Sequence, residues 1–327
     1  MTFITNTITN ANPGPTLYTP IETAMLADGW TLVDTVTIGG NTHKVLKSAA
    51  AGNVQGLDWY LDINFPTTGT TGGIRFCPFE TYDAAAHTAG GGPFWQSSTT
   101  IDATNYNRFG TTKSALETNW ANVASNGLST ALSTAAFTYR ISVTRNRIIV
   151  LLDNVSGAIA YAGFFTPSSA FASNAGAALF PLVVAVLNPS QATSYTNSNA
   201  GTACLTRLPK VSTMAGSGWA YHCAVATGSS AVGGWPEGQA GVAVSPLTGR
   251  TTGRPLTVAA QPGGSSSTGL SSQSSSVASV DDIGTIDDVI NAYVSSGSVR
   301  GDSITIGSDT WYDVTPNSSA TLFFRGI

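Results

Sequence analysis

The chain has 327 residues and a formal net charge of −4, and only 10% of its residues are charged. Serine, threonine, asparagine and glycine supply the polarity instead, and four lysines in total leave no basic surface of the kind that binds nucleic acid. Three cysteines without a CxxC spacing make no disulfide framework, so we expect reduced, buried thiols.

The N-terminal segment lacks the basic and apolar regions of a secretory signal. No stretch approaches the ~18–20 apolar residues of a membrane span. We therefore expect a protein that is made in the cytoplasm, is not exported through a cleaved signal and does not insert into a membrane.

Residues 1–20 are polar, contain three prolines and show little periodicity, which predicts an extended arm. A short helix is expected from Ile21 to Gly29, with Glu22 in its first turn and Gly29 as its stop. The folded body is then expected to begin at residue 21.

Strands are predicted to follow at about 30–38, 42–47, 57–65 and 73–80. The third gives the clearest signal because apolar and polar residues alternate strictly along it. The apolar set is Leu57, Trp59, Leu61, Ile63 and Phe65, and the polar set is Asp58, Tyr60, Asp62 and Asn64. A period of two is typical of a half-buried strand, so we expect the first set in the core and the second set outside it.

Residues 83–135 are rich in small and polar residues and are predicted to form a long loop region. Strand patterns return beyond it, with a tight turn expected at Arg145-Asn146. The predicted strands here are Phe137–Thr144, Arg147–Asp153, Ile159–Phe165 and Leu179–Leu187.

Residues 255–280 contain no charge and are dominated by serine and glycine, which predicts a flexible linker. A helix is expected next, because apolar residues recur there at helical spacing. They are Ile283, Ile286, Ile290, Tyr293 and Val294. The C-terminal strands are predicted at Ser303–Ile306, Thr310–Thr315 and Thr321–Arg325.

Short strands punctuated by Gly, Pro and Asn predict a mainly β protein, a β-sandwich of jelly-roll or concanavalin/laminin-G-like type. The predicted organisation is a polar N-terminal arm over 1–20 and a sandwich body over 21–254. A Ser/Gly-rich linker over 255–280 then leads to a small C-terminal helix-plus-β domain over 281–327.

The histidines and cysteines lack the spacing of a metal or nucleophile motif. His43, His87 and His222 are far apart, and neighbouring His222 and Cys223 would point to opposite faces of a strand. A three-point site from His87, His222 and Cys204 remains the alternative.

The carboxylates offer two alternatives. Asp58, Asp62 and Glu80 are candidates for glycoside hydrolysis, but Asp58 and Asp62 would lie about 13 Å apart along one strand, beyond the ~5–9.5 Å window for that chemistry. The second candidate is a calcium site in an acidic cluster, which lacks the alternating oxygen spacing of a calcium loop and is better explained as charge at a helix N-terminus. The cluster consists of Asp281, Asp282, Asp287 and Asp288.

Tryptophans are the remaining candidates, because they can stack on sugars. They are Trp59, Trp95, Trp120, Trp219, Trp235 and Trp311. Trp59 is expected in the core, whereas Trp95, beside a Gly-Gly-Gly run, is a better candidate for contact with a partner. The sequence therefore predicts no catalytic residue, no metal ligand and no cofactor.

Three segments resemble a loosely defined group of tailed-bacteriophage virion proteins. The first is GWTLVDTVTIGGNTHKVLKS followed by N-x-x-G-x-D-W-Y at Asn53 to Tyr60. The second is YRISVTRNRIIVLLDNVSGAIAYAGFFTP from Tyr139 to Pro167, and the third is the ending GDSITIGSDTWYDVTPNSSATLFFRGI. Together they cover about a third of the chain.

The resemblance implies a structural component of a virion, in the tail or baseplate rather than the head, without enzymatic activity. Its expected partners are copies of itself and other virion proteins. One alternative is a receptor- or carbohydrate-binding module on the particle, with a host-surface glycan as its partner. Another is a polysaccharide hydrolase.

Overall fold

A computed structural model describes thirteen parts of the chain. They are residues 1–9, 13–38, 41–66, 75–90, 136–152, 158–175, 179–187, 203–207, 219–223, 254–260, 281–293, 301–313 and 320–326. The predicted loop region 83–135 and the linker 255–280 lie largely outside these residues.

The protein is mainly β. The strands are β1 Thr2–Ile8, β2 Thr31–Ile38, β3 Asn41–Ser48, β4 Trp59–Pro66, β5 Arg75–Phe79, β6 Thr81–Asp83, β7 Thr88–Gly90, β8 Phe137–Thr144, β9 Arg147–Leu152, β10 Ala158–Phe164, β11 Thr166–Pro167, β12 Leu182–Leu187, β13 Ala203–Arg207, β14 Trp219–Cys223, β15 Arg254–Ala260, β16 Asp281–Tyr293, β17 Ser303–Ile306, β18 Asp309–Asp313 and β19 Ala320–Arg325. The helices are α1 Pro13–Ala27 and α2 Ser169–Ala175, with a 3₁₀ turn at Ala50–Gly52.

The described strands form two main sheets and one hairpin. The large sheet has the order β1-β8-β9-β10-β12-β13-β14-β15-β16-β19-β18-β17, and β11 pairs with β16. The small sheet has the order β2-β3-β4-β5, and β6 pairs with β7 as a separate hairpin. All pairings are antiparallel, which suits strands joined by short turns.

The main core lies between the small sheet, helix α1 and the β8–β10 part of the large sheet. Trp59 is fully buried at its centre, with its ring 4.7 Å from that of Trp30 and 5.5 Å from that of Phe164. Its indole N–H donates to the carbonyl of Arg145 at 3.1 Å. The prediction for β4 is therefore confirmed on its apolar side: Leu61 and Ile63 are also fully buried.

The two ends of the large sheet contact each other. Phe3 of β1 stacks on Tyr312 of β18 with ring centroids 4.9 Å apart, and the Arg140 guanidinium of β8 lies 5.2 Å from the same ring. Ser142 of β8 donates to the carbonyl of Arg325 in β19 at 2.9 Å. The large sheet therefore curls back so that its first strands lie over its last ones.

The prediction of an extended arm over residues 1–20 is wrong. Residues 2–8 form β1, which pairs along its whole length with β8, and the helix begins at Pro13 rather than Ile21. The physical reason is burial: Leu17 and Tyr18 of α1 are 1% and 3% exposed, so this segment supplies core surface despite its prolines. The predicted stop is confirmed, because Gly29 takes a φ of +88° just after the helix.

The predicted helix from Ile283 to Val294 is also wrong. Residues 281–293 form β16, the longest of the described strands, which pairs with β15 on one side and β19 on the other. The pairing with β15 contains two register shifts. One of them lies between Ile286 and Ile290 and interrupts the two-residue alternation there, so Ile286, Val289 and Ile290 are all buried at a spacing that resembles one face of a helix.

Candidate functional site

One face of the small sheet carries a row of residues in register across all four strands. Asp34 of β2 lies opposite Val45, Val45 opposite Asp62 of β4, and Asp62 opposite Cys77 of β5. This face is opposite to the one that carries Trp59, because side chains alternate along each strand. Each of its two carboxylates contacts a histidine, and we call it the aspartate–histidine face.

Asp62 and His43 form the inner pair of this face. The Oδ2 atom of Asp62 lies 3.0 Å from Nδ1 of His43, and both side chains are fully buried. The prediction that Asp62 lies outside the core is therefore wrong. A buried carboxylate requires a hydrogen-bonding partner, and His43 supplies one from the next strand. The pair joins β3 to β4 beyond the reach of a dissolved ligand.

The outer pair is formed by Asp34 and His87. The hairpin β6–β7 packs on the aspartate–histidine face, and the Tyr82 hydroxyl in β6 donates to Oδ2 of Asp34 at 2.7 Å. Nδ1 of His87 lies 2.7 Å from the same oxygen. The ring of Tyr82 also stacks near Phe79 of β5, 6.2 Å between centroids. Asp34 therefore connects the β6–β7 hairpin to the small sheet.

The hydroxyl of Tyr82 is held in its protonated, donating form. Burial, followed by the hydrogen bond to Asp34, raises the pKa of Tyr82 well above its ordinary value. The Tyr82 hydroxyl therefore stays a hydrogen-bond donor to Asp34 in the neutral range.

His87 has an unusual backbone for its residue type. Its φ is +50°, in the left-handed region that disfavours side chains with a β carbon. It ends the turn between β6 and β7, in which Oδ1 of Asp83 accepts the N–H groups of Ala85 and Ala86. The contact with Asp34 offsets a strain of about 1–2 kcal/mol. The imidazole is 42% exposed and is oriented by the Asp34 carboxylate.

Asp58, the partner proposed for Asp62 in a hydrolytic pair, is engaged elsewhere. Its Oδ2 lies 2.5 Å from Nζ of Lys47, and its Oδ1 accepts the N–H of Ala50 at 2.7 Å. The hydrogen bond from Lys47 and then that from Ala50 hold the pKa of Asp58 below its ordinary value. Glu80 lies between β5 and β6 and is half-buried. The structure therefore gives Asp58 and Asp62 separate basic partners.

Replacing Asp58 by asparagine is expected to lower the free energy of unfolding slightly near neutral pH and to leave it unchanged in acid. A carboxyl whose pKa is lowered on folding stabilises the fold above its unfolded pKa of about 3.9, and this contribution disappears as pH falls through the lower folded pKa. Because the pair is exposed, the loss should stay under about 1 kcal/mol. Urea unfolding of D58N and wild type should differ near neutral pH and converge in acid. A gap that persists in acid would contradict this assignment.

The acidic cluster at 281–288 does not lie at a helix terminus, because these residues belong to β16. Oδ2 of Asp288 accepts from Nε of Arg147 at 2.8 Å, and its Oδ1 lies 3.6 Å from Nη1 of Arg325. Arg147 is 1% exposed and also donates to Oγ of Ser142 at 2.8 Å. Asp288 therefore connects β9 to β16 and β19, a role that sequence spacing does not indicate.

The remaining candidates are in separate places. Trp311 is buried in a second core cluster with Ile290 and Phe323, and Trp219 lies in β14. Cys77 is buried, as expected, whereas Cys204 is in β13 and His222 and Cys223 are in β14. Trp95, Trp120 and Trp235 lie outside the described residues.

No three histidine, cysteine, aspartate or glutamate side chains within the described parts of the chain come together as a metal site. No helix in the described ranges is long and apolar enough to cross a bilayer.

Comparison with known proteins finds no matching family model and no significant match among curated proteins.

Proposed function

We propose that the protein is a structural component of a bacteriophage particle, in the tail or baseplate. It acts by associating with copies of itself and with other virion proteins, and it has no catalytic turnover. The two sheets and α1 supply a body of β-sandwich type that serves as the building unit.

The main support for this proposal is that the candidate carboxylates form ion pairs within the fold. Three of the candidate carboxylates pair with a basic side chain, and each of these pairs connects two elements of the fold. Asp62 joins β3 to β4, Asp58 joins β3 to the turn before β4, and Asp288 joins β9 to β16. Side chains used in this way support a rigid unit, which is what a particle wall requires.

The alternative of a glycan-binding module on the particle is favoured by one local feature. Tyr60 and Tyr82 are half-buried with their ring centroids 6.3 Å apart, and the ammonium of Lys47 lies 5.6 Å from the Tyr60 ring. Aromatic rings beside polar groups suit a sugar face. Loss of binding to host cells in a Tyr60→Ala variant that still assembles would support this alternative.

The proposed function is tested on purified particles. The prediction is that peptide mass spectrometry detects the chain in particles purified by density gradient, and that gold-labelled antibody decorates the tail or its distal end. A chain that is expressed during infection but is absent from purified particles would overturn the proposal. Depolymerisation of a host polysaccharide by the purified chain, lost on changing Asp58, Asp62 or Glu80, would overturn the non-catalytic part.

A further inference from the structure

The β6–β7 hairpin crosses the aspartate–histidine face from one edge of the small sheet to the other. It follows β5, one outer strand of this sheet, after the single residue Glu80. The Tyr82 hydroxyl reaches Asp34 of β2, the other outer strand, at 2.7 Å. After burial and Asp34, the charge of Asp62 also raises the pKa of Tyr82, so both carboxylates lie close to this side chain. The hairpin therefore passes over Val45, which lies in register between Asp34 and Asp62 and is fully buried.

Two polar contacts join the far end of the hairpin to the sheet through one atom. The hydroxyl of Tyr82 and Nδ1 of His87 both contact Oδ2 of Asp34. Among the described strands, β6 and β7 pair with each other and share no ladder with the small sheet. A two-stranded hairpin is marginally stable by itself in water, so the position of this one depends on what its side chains contact.

The near end of the hairpin is suited to act as a hinge. Tyr82 stacks on Phe79, three positions away and 6.2 Å between ring centroids, and so local a contact can persist when the hairpin moves. Ala89 of β7 is buried in the main core cluster, but its side chain is small and its exposure costs little. His87 holds a left-handed φ of +50°, so its release from Asp34 also relieves backbone strain. The contacts with Asp34 are therefore the main ones that oppose opening.

We infer that the hairpin is a latched strap: it opens as a unit when Oδ2 of Asp34 releases Tyr82 and His87, and it then uncovers the aspartate–histidine face. Local opening is expected where a small element makes few buried contacts of its own. The closed strap keeps the buried pair of Asp62 and His43 away from solvent, and the open strap gives access to it. The inference goes beyond the proposed function and does not depend on it, because it concerns one face of a single chain.

A thiol placed beneath the strap measures the open fraction. Val45→Cys replaces a fully buried side chain by one of similar size, and the introduced thiol should react with a maleimide only while the strap is open. In this background we expect Asp34→Ala to raise the labelling rate by roughly tenfold or more, because hydrogen bonds to a carboxylate are stronger than neutral ones. Mass spectrometry of peptides from the labelled full chain gives the rate at each thiol.

Two comparisons show whether Asp34 acts as the latch. Asp58→Ala makes the same substitution at a carboxylate beside β4 that contacts Lys47 and Ala50 instead, and it should leave the labelling rate unchanged. Tyr82→Phe keeps the ring and removes the hydroxyl. It should raise the rate by roughly fivefold when Asp34 is present and have no further effect in Asp34→Ala protein.

Native thiols distinguish opening of the strap from unfolding of the whole chain. Cys204 of β13 and Cys223 of β14 belong to the large sheet, and their labelling rates should not change in Asp34→Ala protein. If circular dichroism shows that Val45→Cys perturbs the fold, amide hydrogen exchange of residues 81–90 in the chain without this substitution gives the same comparison.

Four results would overturn the inference. They are an unchanged rate at position 45 in Asp34→Ala protein, an equal acceleration at Cys204 and Cys223, an equal effect of Asp58→Ala, and an effect of Tyr82→Phe that persists without Asp34. Each of them leaves the proposed structural role untouched, because that role is tested on purified particles.

Discussion

Replacing Leu17 by alanine is expected to destabilise the protein by about 3 kcal/mol. Leu17 lies in α1, is 1% exposed and belongs to the main core cluster. Large-to-small changes at such positions cost about 2–5 kcal/mol, because transfer energy is lost and a cavity is left behind. Urea unfolding followed by circular dichroism measures the difference directly.

Leu26 in the same helix provides the matched control. It is 44% exposed, so Leu26→Ala should change the free energy of unfolding by no more than about 0.5 kcal/mol. If the two variants were equally stable, α1 would not be a core element and residues 1–20 would again be candidates for a detachable arm.

If α1 is a core element, the role of residues 1–20 in assembly has to be tested by substitution and not by deletion. Deleting residues 1–20 removes all of β1 and half of α1, together with the buried Ile8, Leu17 and Tyr18. Such a truncation is expected to unfold the body, so its failure to join a particle would say nothing about an arm. Single substitutions on the exposed side of β1 are the informative experiment.

Most of the strands could be predicted from the sequence because alternation is a local property. The predicted strands near 30–38, 42–47, 57–65, 137–144 and 147–153 correspond to β2, β3, β4, β8 and β9. The tight turn at Arg145-Asn146 is also confirmed. Burial extends beyond the alternating set, however, since Arg147 to Leu151 of β9 are all buried and Leu61, Asp62 and Ile63 of β4 are all fully buried.

The wrong predictions for β16 and α1 come from contacts between residues that are far apart in the sequence. The register shift between Ile286 and Ile290 of β16 produces an apolar spacing that a regular strand does not have, and it follows from the pairing with β15. The helix α1 contains Pro20, which local propensity opposes, yet Ile21, Ala24 and Met25 are fully buried. Tertiary burial outweighs propensity in both cases.

The aspartate–histidine face could be predicted only in part. Alternation places Asp62 on the side of β4 opposite to Trp59, which is correct. It does not reveal that His43 lies beside it, or that both side chains are buried. The contacts of Asp34 with Tyr82 and His87 join residues 48 and 53 positions apart, and no local pattern encodes that distance.

Replacing Arg147 by methionine is expected to destabilise the protein by about 3 kcal/mol. Removing one partner of a buried ion pair costs about 3–5 kcal/mol, because the buried charge of the other partner is then left unpaired. Arg147 is 1% exposed, and its loss deprives both Asp288 and Ser142 of a donor. We expect the lower end of the range, since Asp288 is 23% exposed and Arg325 lies 3.6 Å away.

Lys47→Met is the matched control for this prediction, because it removes the cation of an ion pair that is much less buried. The Lys47 and Asp58 side chains are 29% and 45% exposed, so this change should cost under about 1 kcal/mol. Similar small losses for both variants would show that the Arg147 pair is not a structural junction.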